Sequence, residues 1–227
     1  MKLAIMQPYL FPYLGYFQLI HAVDRFVFLD DVNFIRRGWI NRNRWLIGGQ
    51  PQYFTVPVTE GSQNSHICDL KVSTDPRWQR KLDQTIRQSY GKAAYFEPVY
   101  QLFASTVLFG MGNIGAMARA SVEAVSRYLE LPVQLIASSA GYGNQALKGE
   151  ARIIDICRRE GATSYFNLPG GRSLYQESAF LQHDVALNFI EPRLPAYPQC
   201  SAVFVPGLSI LDVLMHNDPQ SIRMMLQ

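Results

Sequence analysis

An α/β domain with a mostly parallel sheet is the fold class that three features of the sequence predict. Short β-rich runs alternate with stretches whose apolar residues recur at helical spacing, Pro, Gly, Asn and Asp punctuate the junctions, and the apolar content suffices for one large core. With 227 residues, 48% of them hydrophobic and 17% charged, the chain fits one large domain and excludes disorder over most of its length.

Residues 3–6 form the first strand; after a Pro-punctuated loop, a helix follows over 14–22, where Leu14, Phe17 and Ile20 share a face. Residues 25–29 read as a buried strand ending in Asp30-Asp31, so the opening is a β-α-β unit with parallel strands. Residues 52–58 and 66–72 alternate on either side of the turn-rich stretch from Glu60 to Ser65 and predict a hairpin. Asp75 and Pro76 open a helix that runs to about Tyr90, ahead of Gly91, and more helix follows through Tyr128. This hairpin and helical segment, over about residues 50–130, reads as an insertion within a single domain of residues 1–227. Residues 133–137 predict a third buried strand, 145–160 a helix closed by Gly161, and 164–166 a fourth strand. A helix over 174–182, a strand over 186–189 and a last helix from Ser209 complete the pattern. Ligands of such sheets sit beyond the carboxyl ends of the strands, where strand order reverses. Gln7 to Tyr16, Asp30-Asp31, Ser138-Ser139 and Asn167 to Gly171 fall there.

The net charge of +3 is small, and Lys and Arg are scattered apart from Arg36, Arg37, Arg42 and Arg44, so DNA is not indicated as a partner. Cys68, Cys157 and Cys200 are odd in number and lack C-x-x-C spacing, which argues against a disulfide framework and a structural zinc site and fits a reducing cytoplasm. The apolar run at the N-terminus is cut by Gln7-Pro8 and is too short for a signal-peptide core. Residues 98–118 carry no formal charge, but Gln101, Ser105, Thr106, Asn113 and three glycines dilute them, so they read as buried helices of a soluble domain rather than a membrane span.

Gly110-Met111-Gly112-Asn113-Ile114-Gly115 spells the dinucleotide fingerprint, yet the following strand has no acid at its end to hold a ribose; a helix break with Asn113 capping the next helix is the simpler reading. Tyr13-Leu14-Gly15-Tyr16 stands where HIGH-type nucleotidyl-transfer enzymes carry H-x-G-H, which supports a Rossmann-like, HIGH-type sheet more than their chemistry, since both histidines are missing. The densest polar cluster is Arg36-Arg37-Gly38-Trp39-Ile40-Asn41-Arg42-Asn43-Arg44. Its guanidinium groups suit phosphate, Trp39 offers a face to a sugar or base, and the amides can read hydroxyls; a solvated basic loop is the alternative. Asp30 and Asp31 leave their strand in opposite directions, so at most one of them faces the site; Asp30 is preferred for an amine, hydroxyl or cation, and Asp31 as a structural partner of the arginine loop. His21, His66, His183 and His216 lack metal-ligand spacing, no metal is expected, and nothing in the sequence places a histidine beside Cys68 or Cys200. Lys148 and Arg152, at i, i+4 beyond the 141–144 loop, suit a diphosphate, with a solvent-exposed pair as the alternative, and Asn167-Leu168-Pro169-Gly170-Gly171 suits a substrate loop, with a plain turn as the alternative.

Several ordered strings together resemble the WbqC-like family. Gln7-Pro8-Tyr9-Leu10-Phe11-Pro12-Tyr13-Leu14-Gly15-Tyr16-Phe17 looks like its opening signature, Phe26 to Val32 its second strand, and Trp39-Ile40-Asn41-Arg42-Asn43 its W-x-N-R-N element. Tyr90, Tyr95-Phe96, Ser138-Ser139, Arg152 with Ile153-Ile154, Leu168-Pro169-Gly170-Gly171 with Tyr175, Tyr197-Pro198-Gln199 and the stretch from Leu208 to Leu214 continue in family order. Met215-His216-Asn217-Asp218 departs from the Asn-Gly-like turn that the family pattern leads one to expect.

The resemblance implies association with O-antigen and related surface-polysaccharide synthesis, and a glycine-transferring role. Joined to the residues above, it leads to an expected amide-forming transferase that moves an activated amino acid, glycyl as first candidate, onto the amine of a nucleotide-linked amino sugar. Asp30 would orient or deprotonate the amine, Arg42 with Arg36 or Arg37 would clamp phosphate, Asn41 and Asn43 would read hydroxyls, and Trp39 would cover the ring. If ATP activates the acyl donor in place, Lys148 and Arg152 are the candidates for the leaving phosphate and magnesium would be needed. A non-catalytic sugar-nucleotide or carrier-binding protein and a nucleotidyl transferase acting on a sugar phosphate are the alternatives.

Overall fold

The structure, a computed structural model, describes residues 1–59, 65–110 and 112–227. Its centre is a five-stranded parallel sheet of β1 (Lys2–Met6), β2 (Arg25–Phe28), β5 (Gln134–Ile136), β6 (Ser164–Asn167) and β7 (Ala186–Phe189), in the order β5-β2-β1-β6-β7. The chain steps outward from β1 to β2 and β5, then returns to the other flank of β1 with β6 and β7. This is the order of a Rossmann sheet without its sixth strand, and it puts the reversal between β1 and β6.

Both faces of the central strands are covered, as a parallel sheet requires. Ala4, Phe26 and Phe28 turn to one hydrophobic layer, with α1 (Leu14–His21), α4 (Ile114–Tyr128) and α7 (Ile210–His216). Leu3, Ile5, Val27 and Tyr165 turn to the other, against Ile153, Ile156 and Cys157 of α5 (Gly149–Glu160) and Phe180 of α6 (Glu177–Leu181). Adjacent strand residues thus alternate between two cores. The sheet's third strand in chain order, β5, is expected from its sequence to be buried, but it lies at the sheet edge with Gln134 exposed.

The hairpin lies earlier than its alternation predicts. It is formed by β3 (Arg42–Ile47) and β4 (Gln50–Thr55), antiparallel, around Gly48 and Gly49 at φ +58° and +76°. Positive φ at both loop residues is the backbone that a two-residue hairpin with the strands' own twist demands, and glycine adopts it without a Cβ penalty. Of the predicted pairing between 52–58 and 66–72, a Val58–Val72 bridge and the Thr59-to-Lys71 and Ser73-to-Pro57 backbone bonds remain, while most of the intended turn lies outside the described residues.

Downstream, α2 (Arg77–Tyr90) is followed by α3 (Phe96–Phe103), a π-helical turn over residues 104–108, and α4. Asn113 Oδ1 accepts from the Ala116 N–H at 2.9 Å, the cap expected in place of a nucleotide fingerprint. Among the described residues, no helix is long and apolar enough to cross a membrane. The helix expected from residue 145 begins only at Gly149, whose φ of +51° keeps the residues before it out of the helix, and it ends as read at Gly161, φ +67°. The C-terminal helix from Ser209 is divided: Asn217 closes α7, and Asp218 caps α8 (Pro219–Met225) through the Ser221 N–H at 2.9 Å.

Candidate functional site

A cleft of about 750 Å³ opens at the reversal point, beyond the carboxyl ends of β1 and β6. One wall comes from the chain leaving β1, with Met6, Gln7, Tyr9 and Tyr13. Opposite it, Asn167, Leu168, Pro169, Gly170 and Gly171 leave β6 and are joined by Leu174 and Tyr175. Ile35 and Trp39 close a third side, and Asn43, Pro192 and Gly207 complete the wall.

The loop of residues 7–13 is held by its surroundings rather than by regular structure. Asn43 Nδ2 donates to the Leu10 and Phe11 carbonyls at 3.1 and 2.8 Å, and Ser209 Oγ also donates to Phe11 at 2.8 Å. Leu10 N–H donates to the Trp39 carbonyl at 2.9 Å, and Phe11 N–H to Ser121 Oγ at 2.9 Å. These bonds satisfy main-chain groups that are buried away from water. They also hold Phe11 at φ 43°, a left-handed conformation that costs a bulky side chain about 1–3 kcal/mol. The opening signature and the W-x-N-R-N element are therefore parts of one hydrogen-bonded unit. Gly15 has a role in the same unit: a Cβ there would stand 2.5 Å from the Tyr13 ring and 2.7 Å from Pro192.

Of the residues that sequence reasoning singled out, Gln7, Tyr9, Tyr13, Trp39, Asn43, Asn167, Gly170 and Gly171 meet in the cleft. Tyr16 is fully buried behind it and donates to the Gln7 carbonyl at 2.8 Å. The amides face main chain more than open space: Asn41 Nδ2 donates to the Val56 carbonyl at 2.9 Å, and Asn167 bonds Tyr165 Oη and the Leu168 N–H at 3.0 and 2.7 Å. Arg42 lies over the Tyr53 ring at 4.4 Å and donates to the Gly38 and Arg37 carbonyls, while Arg36 and Arg37 are exposed. The residues that line the cleft carry no charge, so its walls are aromatic, aliphatic and amide.

Asp30 and Asp31 sit at the end of β2, and each receives one hydroxyl from the loop that follows β5. Ser138 Oγ donates to Asp30 at 2.6 Å, and Ser139 Oγ donates to Asp31. Asp31 is paired not with the arginine loop but with Arg152 of α5, whose Nη2 lies 2.7 and 2.6 Å from its two oxygens. Both side chains are nearly inaccessible, and Arg152 Nε donates to Asn144 Oδ1 at 3.0 Å. Burial pushes the Asp31 carboxyl up, but Ser139 and Arg152 more than offset it, so the group stands below the ordinary carboxylate range. For Asp30 burial prevails over the Ser138 bond, and its carboxyl stands above that range. Lys148 is exposed and precedes α5, whereas Arg152 is buried inside it, so the structure does not bring the two together at one surface.

Sequence reasoning missed Ile35, Leu174 and Pro192 as cleft residues, because nothing in their local pattern distinguishes a wall from a core. It also found no histidine beside Cys200, whereas His216 Nε2 stands 3.3 Å from Cys200 Sγ. The two are brought together across an irregular segment that carries no periodicity to read.

The WbqC-like protein family model matches residues 7–224 of the chain. A Mycobacterium tuberculosis protein carrying the name "Uncharacterized protein Rv1507c" is 31% identical over 219 residues, covering 95% of this chain and 93% of that protein. No solved structure matches at a significant level.

Proposed function

The chain belongs to the WbqC-like protein family, and from that premise we propose that it is a cytoplasmic transferase of surface-polysaccharide precursor synthesis, moving an aminoacyl group onto the amine of a nucleotide-linked amino sugar. The observation that carries this is the position and lining of the cleft: it lies where Rossmann-like sheets take nucleotides and sugars, and aromatic faces with few polar groups suit the rings of a sugar nucleotide. Trp39 covers the ring, and the exposed Arg36 and Arg37 of the same loop meet the phosphates from outside the uncharged wall. Arg152 is left out of the assignment, since its charge is matched by Asp31.

Asp30 is the group for the proton. A carboxyl raised by burial is a stronger base once ionised than an ordinary one, and Asp30 follows Leu29, whose N–H donates to the Met6 carbonyl at the cleft's edge. The amine lone pair attacks the acyl carbonyl, the new C–N bond forms as the bond to the leaving group breaks, and Asp30 takes the proton the nitrogen sheds. Glycyl is the first acyl group to test.

Incubating the purified protein with glycine, ATP and a nucleotide-linked amino sugar should yield the N-glycyl sugar nucleotide with release of AMP or ADP. Neither product nor nucleotide binding across a panel of free, adenylated and thioester donors would remove the proposal. Non-catalytic binding of a sugar nucleotide is favoured by one feature, that Asp30 is not itself among the residues lining the cleft. It predicts that Asp30→Asn weakens binding modestly and that no turnover is found to lose.

A further inference from the structure

Asp212 lies in α7, is fully buried, and accepts from three neutral donors. The Tyr90 hydroxyl reaches Oδ2 at 2.7 Å, and the Tyr197 hydroxyl and Gln199 Nε2 reach Oδ1 at 2.8 and 2.9 Å. One helical turn later, His216 Nδ1 stands 2.8 Å from the Asp212 backbone oxygen and 3.9 Å from its Oδ1. The Tyr90 and Tyr197 rings flank the imidazole, with centroids 5.9 and 6.4 Å away. With two acceptors facing it, Nδ1 carries the ring proton, which leaves the Nε2 lone pair directed at Cys200 Sγ, 3.3 Å away. The thiol is exposed, while the imidazole is only 11% exposed and held on several sides. A nucleophile, a base and a group that orients the base therefore stand in sequence.

We propose that Cys200 is a nucleophile that exchanges acyl groups with acyl thioesters, with His216 as its base. The Cys200 proton passes to His216 Nε2 as Sγ forms its bond to the acyl carbon. The donor's C–S bond breaks, and the departing sulfur takes the proton from Nε2, leaving an acyl-Cys200 thioester and a free donor thiol. No oxidant or reductant is consumed.

Two features favour acyl exchange over disulfide chemistry. Burial and the Asp212 carboxylate push the Cys200 thiol up, so a standing thiolate is disfavoured and attack depends on proton transfer to the neighbouring base. A dithiol cycle needs a second cysteine, but Cys157 is buried among the residues on the other face of the sheet and Cys68 sits beside the end of β2. Cys200 is not among the residues lining the cleft, and its chemistry does not depend on what the cleft holds.

The full-length protein is incubated with the acetyl thioester of N-acetylcysteamine, and acetylation is mapped by mass spectrometry. The expected result is acetyl on Cys200, one free thiol released per acetyl gained, loss of the label in Cys200→Ser, and a rate about 100-fold lower in His216→Gln, the lower end of what a positioned base contributes. Equal labelling of Cys200 and Cys68, or an unchanged rate in a folded His216→Gln, overturns the assignment. Should His216→Gln not fold, the wild-type protein decides: Cys200 must acetylate at least about tenfold faster than free N-acetylcysteine, because an exposed but unassisted thiol with a raised pKa reacts more slowly.

Discussion

Replacing Arg152 with Met would leave the Asp31 carboxylate buried with the Ser139 hydroxyl and the Gln145 amide as donors and no cation. Both side chains of the pair are about 5% exposed, and the guanidinium contacts both carboxylate oxygens, so water has little access to take its place. Removing one partner of such a pair costs about 3–5 kcal/mol, and the loss of the Asn144 bond adds about 1 kcal/mol. Against a total stability of about 5–15 kcal/mol for a domain, the variant should be close to its unfolding limit. Urea unfolding followed by tryptophan fluorescence measures this, and Asp31→Asn/Arg152→Met should be more stable than Arg152→Met alone because no uncompensated charge remains. The pH dependence has a definite sign. Asp31 titrates below the ordinary range when folded, so its contribution is present above the unfolded pKa of about 3.9 and is lost as pH falls through the folded value. The gap between wild type and Arg152→Met should therefore close below about pH 4. A loss under about 1 kcal/mol at pH 7, or a double variant no more stable than the single, would refute the assignment of Arg152 to the fold rather than to a ligand.

Asp30→Asn keeps an acceptor for Ser138 and removes a carboxyl that burial holds above its ordinary range. That group's favourable contribution is present below the unfolded pKa and lost as pH rises through the folded one, so the variant should gain stability relative to wild type in urea melts as pH rises above about 4, while the proposed amide formation falls about 100-fold. Asn43→Ala deprives the Leu10 and Phe11 carbonyls of their shared donor and should cost about 1–3 kcal/mol by the same melts; an unchanged midpoint would show that the amide does not pin the loop. Trp39→Ala removes a 37% exposed ring from the cleft wall; it should leave the melting temperature of the free protein within a few degrees and abolish the shift produced by nucleotide-linked amino sugars.

The β-α-β opening was legible because both its periods are clean: the helix expected over 14–22 is observed as Leu14–His21, and the strand over 25–29 as Arg25–Phe28. The reversal point was legible in outline, since Gln7, Tyr13 and Asn167 to Gly171 fall at strand ends whose place in the sheet follows from alternation. The hairpin was misplaced because alternation over 52–58 outweighed the Gly48-Gly49 pair, which is the stronger turn signal. For the same reason Arg42, Asn43 and Arg44, taken for a loop, are a strand, and Asn43 supports the cleft with its amide turned inward. The partner of Asp31 was not legible: Arg152 is 121 residues away, and the contact depends on α5 packing against the end of β2, which no local pattern encodes. Tyr90, Tyr197, Gln199 and Asp212 were each noted as family strings, but only the fold shows that they surround one buried carboxylate.

Hydrogen–deuterium exchange of the wild-type protein, with and without a saturating nucleotide-linked amino sugar, addresses the cleft directly. Slowed exchange is predicted in the segments leaving β1 and β6, residues 7–13 and 167–175, together with the Trp39 loop. Protection confined to other surfaces, with these three segments unchanged, would contradict the placement of the ligand site.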